Sequence, residues 1–406
     1  MNISISSLTN LLPEYLGKAV HESPWELPTN HLLIGIEGAV EASETFFKNE
    51  DATLMEFIQF LIEDSYRRNT YYPININVHF EEKTIKLPDN EDEIVEFLID
   101  LAWKSNLFEG AAIINFLRDD PRLDSILLRL AARTDIMTDG HGKELAFAYH
   151  KFKNLISEEE RWRFLTHTYQ AIFKAIFAEM TVSKATWGRT RFLGKQLKPY
   201  DMCVIPREEL EENDNRTLYE LIKDDEGKKA MWYVDEVLDP EDNELQRVCM
   251  IRAIESVGSR RHSISSCRAA CKLESKVPFI DQIFMWRGIL EFFLADSTPI
   301  VTKEQFEKMI MREKKVISRD KVFVEDIRNY KKGSKYLMGL SHTLLEQGVS
   351  IEIIYTELLK KALEKEKSVH LINIFNAMYL FGEKLGDEYK HIALARCAWE
   401  TERVLR

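Results

Sequence analysis

Apolar residues recur at every third or fourth position along most of this chain, which is the spacing of one face of an α-helix. Ile94, Leu98 and Leu101 illustrate the pattern, and they follow Asn90 and Glu93, a pair typical of a helix start. Turn-forming residues are scarce: 16 glycines and 11 prolines stand among 406 residues, whereas ordinary usage is about 7% glycine and about 5% proline. The chain is therefore predicted to be mostly α.

Three local signals refine this prediction. Asn30 is predicted to cap a helix that begins at His31, and Ser157 with Glu160 is predicted to start a long helix. Between residues 74 and 87, apolar and polar residues alternate in two short runs separated by charged residues. This alternation predicts one small β-hairpin.

A stretch dense in charge, glycine and proline divides the predicted helices into two groups. We predict an N-terminal helical lobe with the hairpin at residues 1–180 and an irregular charged linker or insertion at residues 181–242. A C-terminal helical lobe follows at residues 243–406. Two helical lobes and one multi-helix bundle both fit a chain of this length.

The charge balance disfavours one class of partner. The chain has 55 Lys and Arg residues against 67 Asp and Glu residues, a formal net charge of −12, which repels nucleic-acid phosphates. One basic stretch stands out, and its Arg189 and Arg191 are candidates for binding an anionic group. The alternative is that they neutralise the acidic run that follows them.

Location is predicted from two further features. No window reaches the 18 or so apolar residues that a membrane-spanning helix needs, and the first ten residues resemble no secretory signal. The five cysteines contain no CxxC pair, which is typical of free thiols in a reducing compartment. We expect a cytoplasmic protein that contacts no membrane.

Several enzyme classes lack their motifs here. The sequence contains no GxGxxG after a strand, no GxxxxGK[ST], no GxSxG and no HExxH, so nucleotide-loop, α/β-hydrolase and zincin chemistries are excluded. An enzyme of this kind would build its pocket between helices. One weak set of metal ligands is His141, Glu144, Glu160 and His167, which would converge if two helices are antiparallel neighbours. The same residues can instead be ordinary hydrogen-bonded side chains.

Two segments and one dipeptide resemble a known family. Asn30-His31-Leu32 leads into a helix of small residues, and Val369-His370-Leu371-Ile372-Asn373 opens the closing pair of helices. The dipeptide His141-Gly142 precedes another helix. Together these short motifs resemble the questin oxidase-like proteins.

The resemblance implies an NADPH-dependent oxygenase of the Baeyer–Villiger type that acts on a small aromatic or polyketide-like substrate. It implies further that His31, His141 and His370 are catalytic pocket residues that donate protons or anchor substrate oxygens. Imidazole suits both roles near neutral pH.

Two other functions remain open from the sequence. The first is a non-catalytic α-helical interaction or scaffold protein, which the segregated acidic and basic surfaces favour and which could be a homo-oligomer. The second is a carboxylate and histidine metal-dependent oxidase built from the weak ligand set above. A convergence of His31, His141 and His370 would favour the oxidoreductase.

Overall fold

A computed structural model describes most of the chain. Its described residues are 8–21, 30–48, 52–67, 87–103, 107–134, 141–182, 216–224, 227–239, 241–257, 262–295, 299–317, 321–331 and 336–406.

Within these ranges the protein is built from α-helices, and the predicted mostly-α class is confirmed. The helices are α1 Leu8–Ala19, α2 His31–Ala42, α3 Ala52–Arg67, α4 Glu91–Trp103, α5 Leu107–Phe116, α6 Leu123–Thr134, α7 His141–Phe152, α8 Glu158–Val182, α9 Leu218–Lys223, α10 Gly227–Glu236, α11 Glu244–Glu255, α12 His262–Leu273, α13 Phe279–Ala295, α14 Lys303–Lys314, α15 Glu325–Arg328, α16 Leu337–Glu346, α17 Ile351–Leu363, α18 Val369–Leu385 and α19 Asp387–Leu405. A π-helical turn, Ser43–Phe47, extends α2. The predicted β-hairpin at residues 74–87 lies outside the described residues except for its last position.

No helix in the described part of the chain is both long and apolar enough to span a membrane.

Side-chain caps set two of the predicted helix starts. The Asn30 side chain accepts a hydrogen bond of 2.9 Å from the Leu33 amide, and its own amide donates to the Ala19 carbonyl oxygen at 2.9 Å. Both ends of this buried side chain are therefore used, and they fix where α2 begins. Ser157 and Glu160 form the predicted reciprocal cap, with the Ser157 amide donating to Glu160 Oε2 at 2.9 Å.

The region predicted to be irregular, residues 181–242, contains two helices in its described part, α9 and α10. Thr217 and Glu220 cap α9 reciprocally. The prediction of an irregular region rests on the charged residues around this pair and not on the pair itself. Helix α1 was likewise not predicted, because Pro13 and Gly17 lie within it and both residues disfavour helix interiors.

Helices from both sides of residues 181–242 share one core. The described buried apolar side chains form a single contiguous cluster that includes residues of α2, α7, α12 and α18. Helix α2 contacts α7 and α18, and α12 contacts the same two helices. The predicted division into two lobes stays a prediction, but these four helices, two from each side, are packed together.

Glycine allows α2 to approach α18 closely. A Cβ atom at Gly38 would lie 2.6 Å from Asn373 Oδ1 and 3.1 Å from a methyl carbon of Ile372. The Asn373 side chain cannot simply turn away, because its amide is hydrogen-bonded to Glu144 at 2.8 Å. The sequence pattern of small residues in α2 is thus explained by this packing.

We therefore expect Gly38→Ala to lower the free energy of unfolding by about 1–3 kcal/mol, since it overpacks the contact between α2 and α18. Gly227→Ala is the matched control, because its Cβ would meet side-chain atoms of Leu294 at 3.5 Å or more, an ordinary contact. Urea unfolding of both variants measures the difference. Equal stabilities of the two variants would contradict this account of the packing.

Candidate functional site

Four histidines meet where four helices begin. His31, His141 and His262 are the first residues of α2, α7 and α12, and His370 is the second residue of α18. Because these helices pack against one another, their first turns present the four imidazoles to one another. We call these four residues the histidine cluster.

Ring-to-ring distances show how compact the histidine cluster is. The ring centre of His141 lies 4.9 Å from that of His31, 5.1 Å from that of His262 and 6.1 Å from that of His370. His31 and His370 are 5.6 Å apart, and His262 and His370 are 4.5 Å apart. His141 and His370 therefore each contact all three of the other rings.

Three of the four imidazoles lie close enough together to be candidate ligands of one metal ion. One nitrogen from each of His31, His141 and His370 lies within 4.8 Å of the other two. Two nitrogens bound to one ion at about 2.1 Å can be at most about 4.2 Å apart, so small side-chain movements would bring all three onto a single ion. Within the described ranges, this is the one group of three or more His, Cys, Asp or Glu residues with such spacing.

The fourth imidazole is hydrogen-bonded inside the cluster. His262 Nε2 lies 3.2 Å from His370 Nε2, so one of the two nitrogens donates and the other accepts. The same separation fits two neighbouring ligands of one ion, for which about 3.0–3.4 Å is expected from metal–nitrogen bonds of about 2.1 Å. If both rings carry their hydrogen on Nδ1, His262 Nε2 and His370 Nε2 each present a lone pair.

Burial keeps the imidazole of His141 neutral. His141 is 5% exposed, whereas the other three histidines are half-buried. Burial, followed by the proximity of His31, His262 and His370, lowers the pKa of His141 well below its ordinary value. Near neutral pH this ring therefore carries a lone pair that an ion can bind.

Sequence reasoning found three members of the cluster and missed the fourth. His31, His141 and His370 come together as the oxidoreductase hypothesis required. His262 had the same local feature as the others, because it is the first residue of its helix. A histidine at the start of a predicted helix is the feature that all four residues share.

The four residues of the weak set of metal ligands contact different partners. Only His141 belongs to the histidine cluster, and Glu144 accepts from Asn373. Glu160 is occupied in the cap of α8 with Ser157. His167 Nε2 donates to the Val20 carbonyl oxygen at 3.2 Å. The anion-binding candidates Arg189 and Arg191 lie outside the described residues.

His167 provides a test of buried imidazoles in this fold. Burial lowers the pKa of His167 from 6.5 to about 4, so below pH 6.5 the unfolded chain takes up a proton that the native protein does not. Acidification therefore favours unfolding until the native pKa is reached, and from pH 7.5 to pH 5 this one group should remove about 2 kcal/mol of stability.

His167→Gln keeps a donor for Val20 but does not titrate, so we expect its stability to fall by about 2 kcal/mol less than that of the wild type over this pH range. Urea unfolding at pH 7.5 and pH 5 measures both proteins. The same pH dependence in the two proteins would contradict the assignment.

Comparison of the chain with protein-family models, with curated proteins and with solved structures found no match. The case for a function therefore depends on the geometry of the site itself.

Proposed function

We propose that this protein is a metal-dependent oxidoreductase that acts on a small molecule bound beside the histidine cluster. The observation that carries the proposal is the approach of His31, His141 and His370 to within 4.8 Å, nitrogen to nitrogen. Imidazole is the commonest protein ligand for metals, and a set of three or four suits iron, copper, zinc or nickel. Among these we favour iron or copper, because the residue matches at His31, His141 and His370 resemble an oxygenase family.

The histidines have distinct tasks in this proposal. His31, His141 and His370 would hold the ion, and His262 would be the fourth donor because its Nε2 is adjacent to that of His370. His141 is the anchor: it is buried and neutral, so protons compete weakly for it. When bound, the ion would supply the one-electron and oxygen chemistry that side chains lack.

Access to the site follows from the burial pattern. His31, His262 and His370 are half-buried, and we propose that the substrate approaches the cluster past these three rings. The proposed substrate is a small aromatic or polyketide-like compound, as the family resemblance implies. NADPH stays a predicted co-substrate, and its candidate anion-binding residues, Arg189 and Arg191, lie outside the described residues.

The cellular setting is also proposed. Cys249, Cys267, Cys271 and Cys397 are free and buried, which supports a reducing, cytoplasmic environment. Burial raises the pKa of the Cys267 thiol well above its ordinary value, so we assign it a packing role and not a redox role.

Oxygen uptake tests the proposed activity. Iron-loaded and copper-loaded protein would be mixed with a panel of phenolic and quinone substrates, with and without NADPH, and oxygen consumption would be followed with an electrode. We expect substrate-dependent uptake that a chelator abolishes. Uptake that is unchanged by the chelator, or absent with both ions across the whole panel, would reject the proposal.

A further inference from the structure

A buried ionic network lies beneath the histidine cluster. Arg268 is fully buried, and its Nη2 donates to Glu37 Oε2 at 2.6 Å and contacts Glu41. Its Nη1 lies 3.5 Å from Glu144 Oε1. Lys272 Nζ donates to Glu37 Oε1 at 2.6 Å and also contacts Glu41. Two cations thus face three carboxyl groups in the interior.

The network joins the same four helices that carry the histidines. Glu37 and Glu41 belong to α2, Glu144 to α7, and Arg268 and Lys272 to α12. The fourth helix, α18, is joined to the network through the side chain of Asn373.

The side-chain amide of Asn373 donates a hydrogen bond to Glu144 Oε1 at 2.8 Å. Asn373 lies three residues after His370, and Glu144 lies three residues after His141. Three residues of helix rise about 4.5 Å, so this hydrogen bond ties two of the helices one turn below their histidines. The link from Arg268 to Glu37 ties two others about 9 Å below theirs, since each lies six residues after its histidine.

Burying so many charges brings little stability. Replacing a buried ionic network by apolar residues is often neutral or stabilising, whereas such a network can specify one arrangement of the elements that it joins. The charge on Glu37 is nonetheless strongly held: burial opposes its ionisation, yet Arg268 and Lys272 lower its pKa to about 2. Burial lowers the pKa of Lys272 to about 7, so Arg268 is the permanent cation of the network. The network is therefore better explained by its effect on the arrangement of the helices than by a contribution to stability.

We infer that Arg268 is a positioning residue, which sets the spacing of the four histidine-bearing helices and thereby the coordination geometry of the ion that the histidine cluster holds. This inference rests on the proposed function. Arg268 contacts three carboxyl groups from two other helices. Its loss would remove the ionic link from α12 to α7 and would leave Lys272 as the remaining ionic link from α12 to α2. The resulting shift would change the separations of His31, His141 and His262.

Co²⁺ is the probe for this inference, because its visible absorption bands report the number and arrangement of its ligands. The wild type, Arg268→Met and Arg268→Lys would each be titrated with Co²⁺. We expect Arg268→Met to bind 10- to 100-fold more weakly, as the loss of supporting groups around metal ligands typically does, with shifted bands. Arg268→Lys keeps a cation, and we expect its bands to return toward those of the wild type.

Arg396→Met is the matched control. Arg396 is equally buried and pairs with Glu400 at 2.7 Å, but it lies on α19 and donates to the Ser256 carbonyl oxygen. Its replacement should lower stability and leave the Co²⁺ affinity and bands unchanged. The same loss of affinity and shift of bands in Arg396→Met would overturn the specific role of Arg268.

A second variant covers the case in which Arg268→Met does not fold. Asn373→Ala removes the hydrogen bond between α18 and Glu144 together with the packing of this side chain against Gly38, and we expect about tenfold weaker Co²⁺ binding with shifted bands. Wild-type affinity and bands in every variant of the network that folds would overturn the inference while leaving the metal centre intact. A wild type that binds no Co²⁺ would reject the metal centre itself, and the positioning role with it.

Discussion

Replacing His141 by alanine should weaken binding of a divalent ion by more than about 100-fold. His141 is the one buried member of the histidine cluster, and its ring contacts those of His31, His262 and His370. Removing groups that only support metal ligands already costs about 10- to 100-fold in affinity, so removing the buried ligand itself should cost more. Titration with Co²⁺ or Fe²⁺ measures the change.

His167→Ala is the control for this prediction. His167 is as buried as His141, 4% exposed against 5%, but it lies outside the cluster and donates to the Val20 carbonyl oxygen. Its loss should reduce stability without changing the affinity for the ion. Equal metal affinities of His141→Ala and the wild type would show that the cluster is not a metal centre.

The largest expected loss of stability comes from a second buried ionic group. Arg129 Nε donates to Asp281 Oδ2 at 2.6 Å, and Asp281 is fully buried. Arg129→Met would leave a buried carboxylate with Arg133 as its remaining arginine, 3.5 Å away. Breaking such a pair typically costs about 3–5 kcal/mol, which urea unfolding at neutral pH can measure.

The pH dependence of this loss provides a further check. Burial raises the pKa of Asp281, while Arg129 and Arg133 oppose the rise, so removing Arg129 should raise this pKa further. A protonated Asp281 carries no buried charge, and the destabilisation should therefore shrink as the pH falls.

A more accessible arginine pair is the control for Arg129. Arg122 pairs with Asp120 at 2.7 Å, and the two side chains are 37% and 21% exposed, against 5% and 0% for Arg129 and Asp281. A solvent-accessible pair contributes about 1 kcal/mol or less. We expect Arg122→Met to be nearly neutral, and a similar loss in the two methionine variants would contradict the prediction. Arg129→Met combined with Asp281→Leu should recover part of the stability, since the buried carboxylate is then gone and Arg133 keeps its pair with Glu96.

Much of the helical framework could be predicted from the sequence because its signals are local. Asn30 and Ser157 mark helix starts through hydrogen bonds to residues three positions away. Such contacts depend on short stretches of chain and need no knowledge of the fold. The start of α2 at His31 and the whole of α18 follow from such local signals and from apolar spacing.

The rest of the site depends on contacts between distant residues. Glu37 reaches Arg268 across 231 positions, and Asn373 reaches Glu144 across 229. In the sequence, Glu37 looks like an ordinary charged residue of an exposed helix face. Its burial depends on the fold, in which α2 and α12 both pack against α7 and α18, so the ionic network could not be predicted.

The histidine cluster falls between these two cases. Each histidine occupies the first turn of its helix, which is a local property, but the meeting of the four first turns is a property of the fold. The family resemblance supplied His31, His141 and His370. It did not supply His262, whose ring centre is 4.5 Å from that of His370.

Anomalous X-ray diffraction from crystals of the iron-loaded protein tests the central claim most directly. The account predicts one strong peak at the iron edge, about 2.0–2.3 Å from a nitrogen of each of His31, His141 and His370. A crystal in which these three side chains are ordered and no peak lies among them, or in which the iron lies elsewhere, would contradict it.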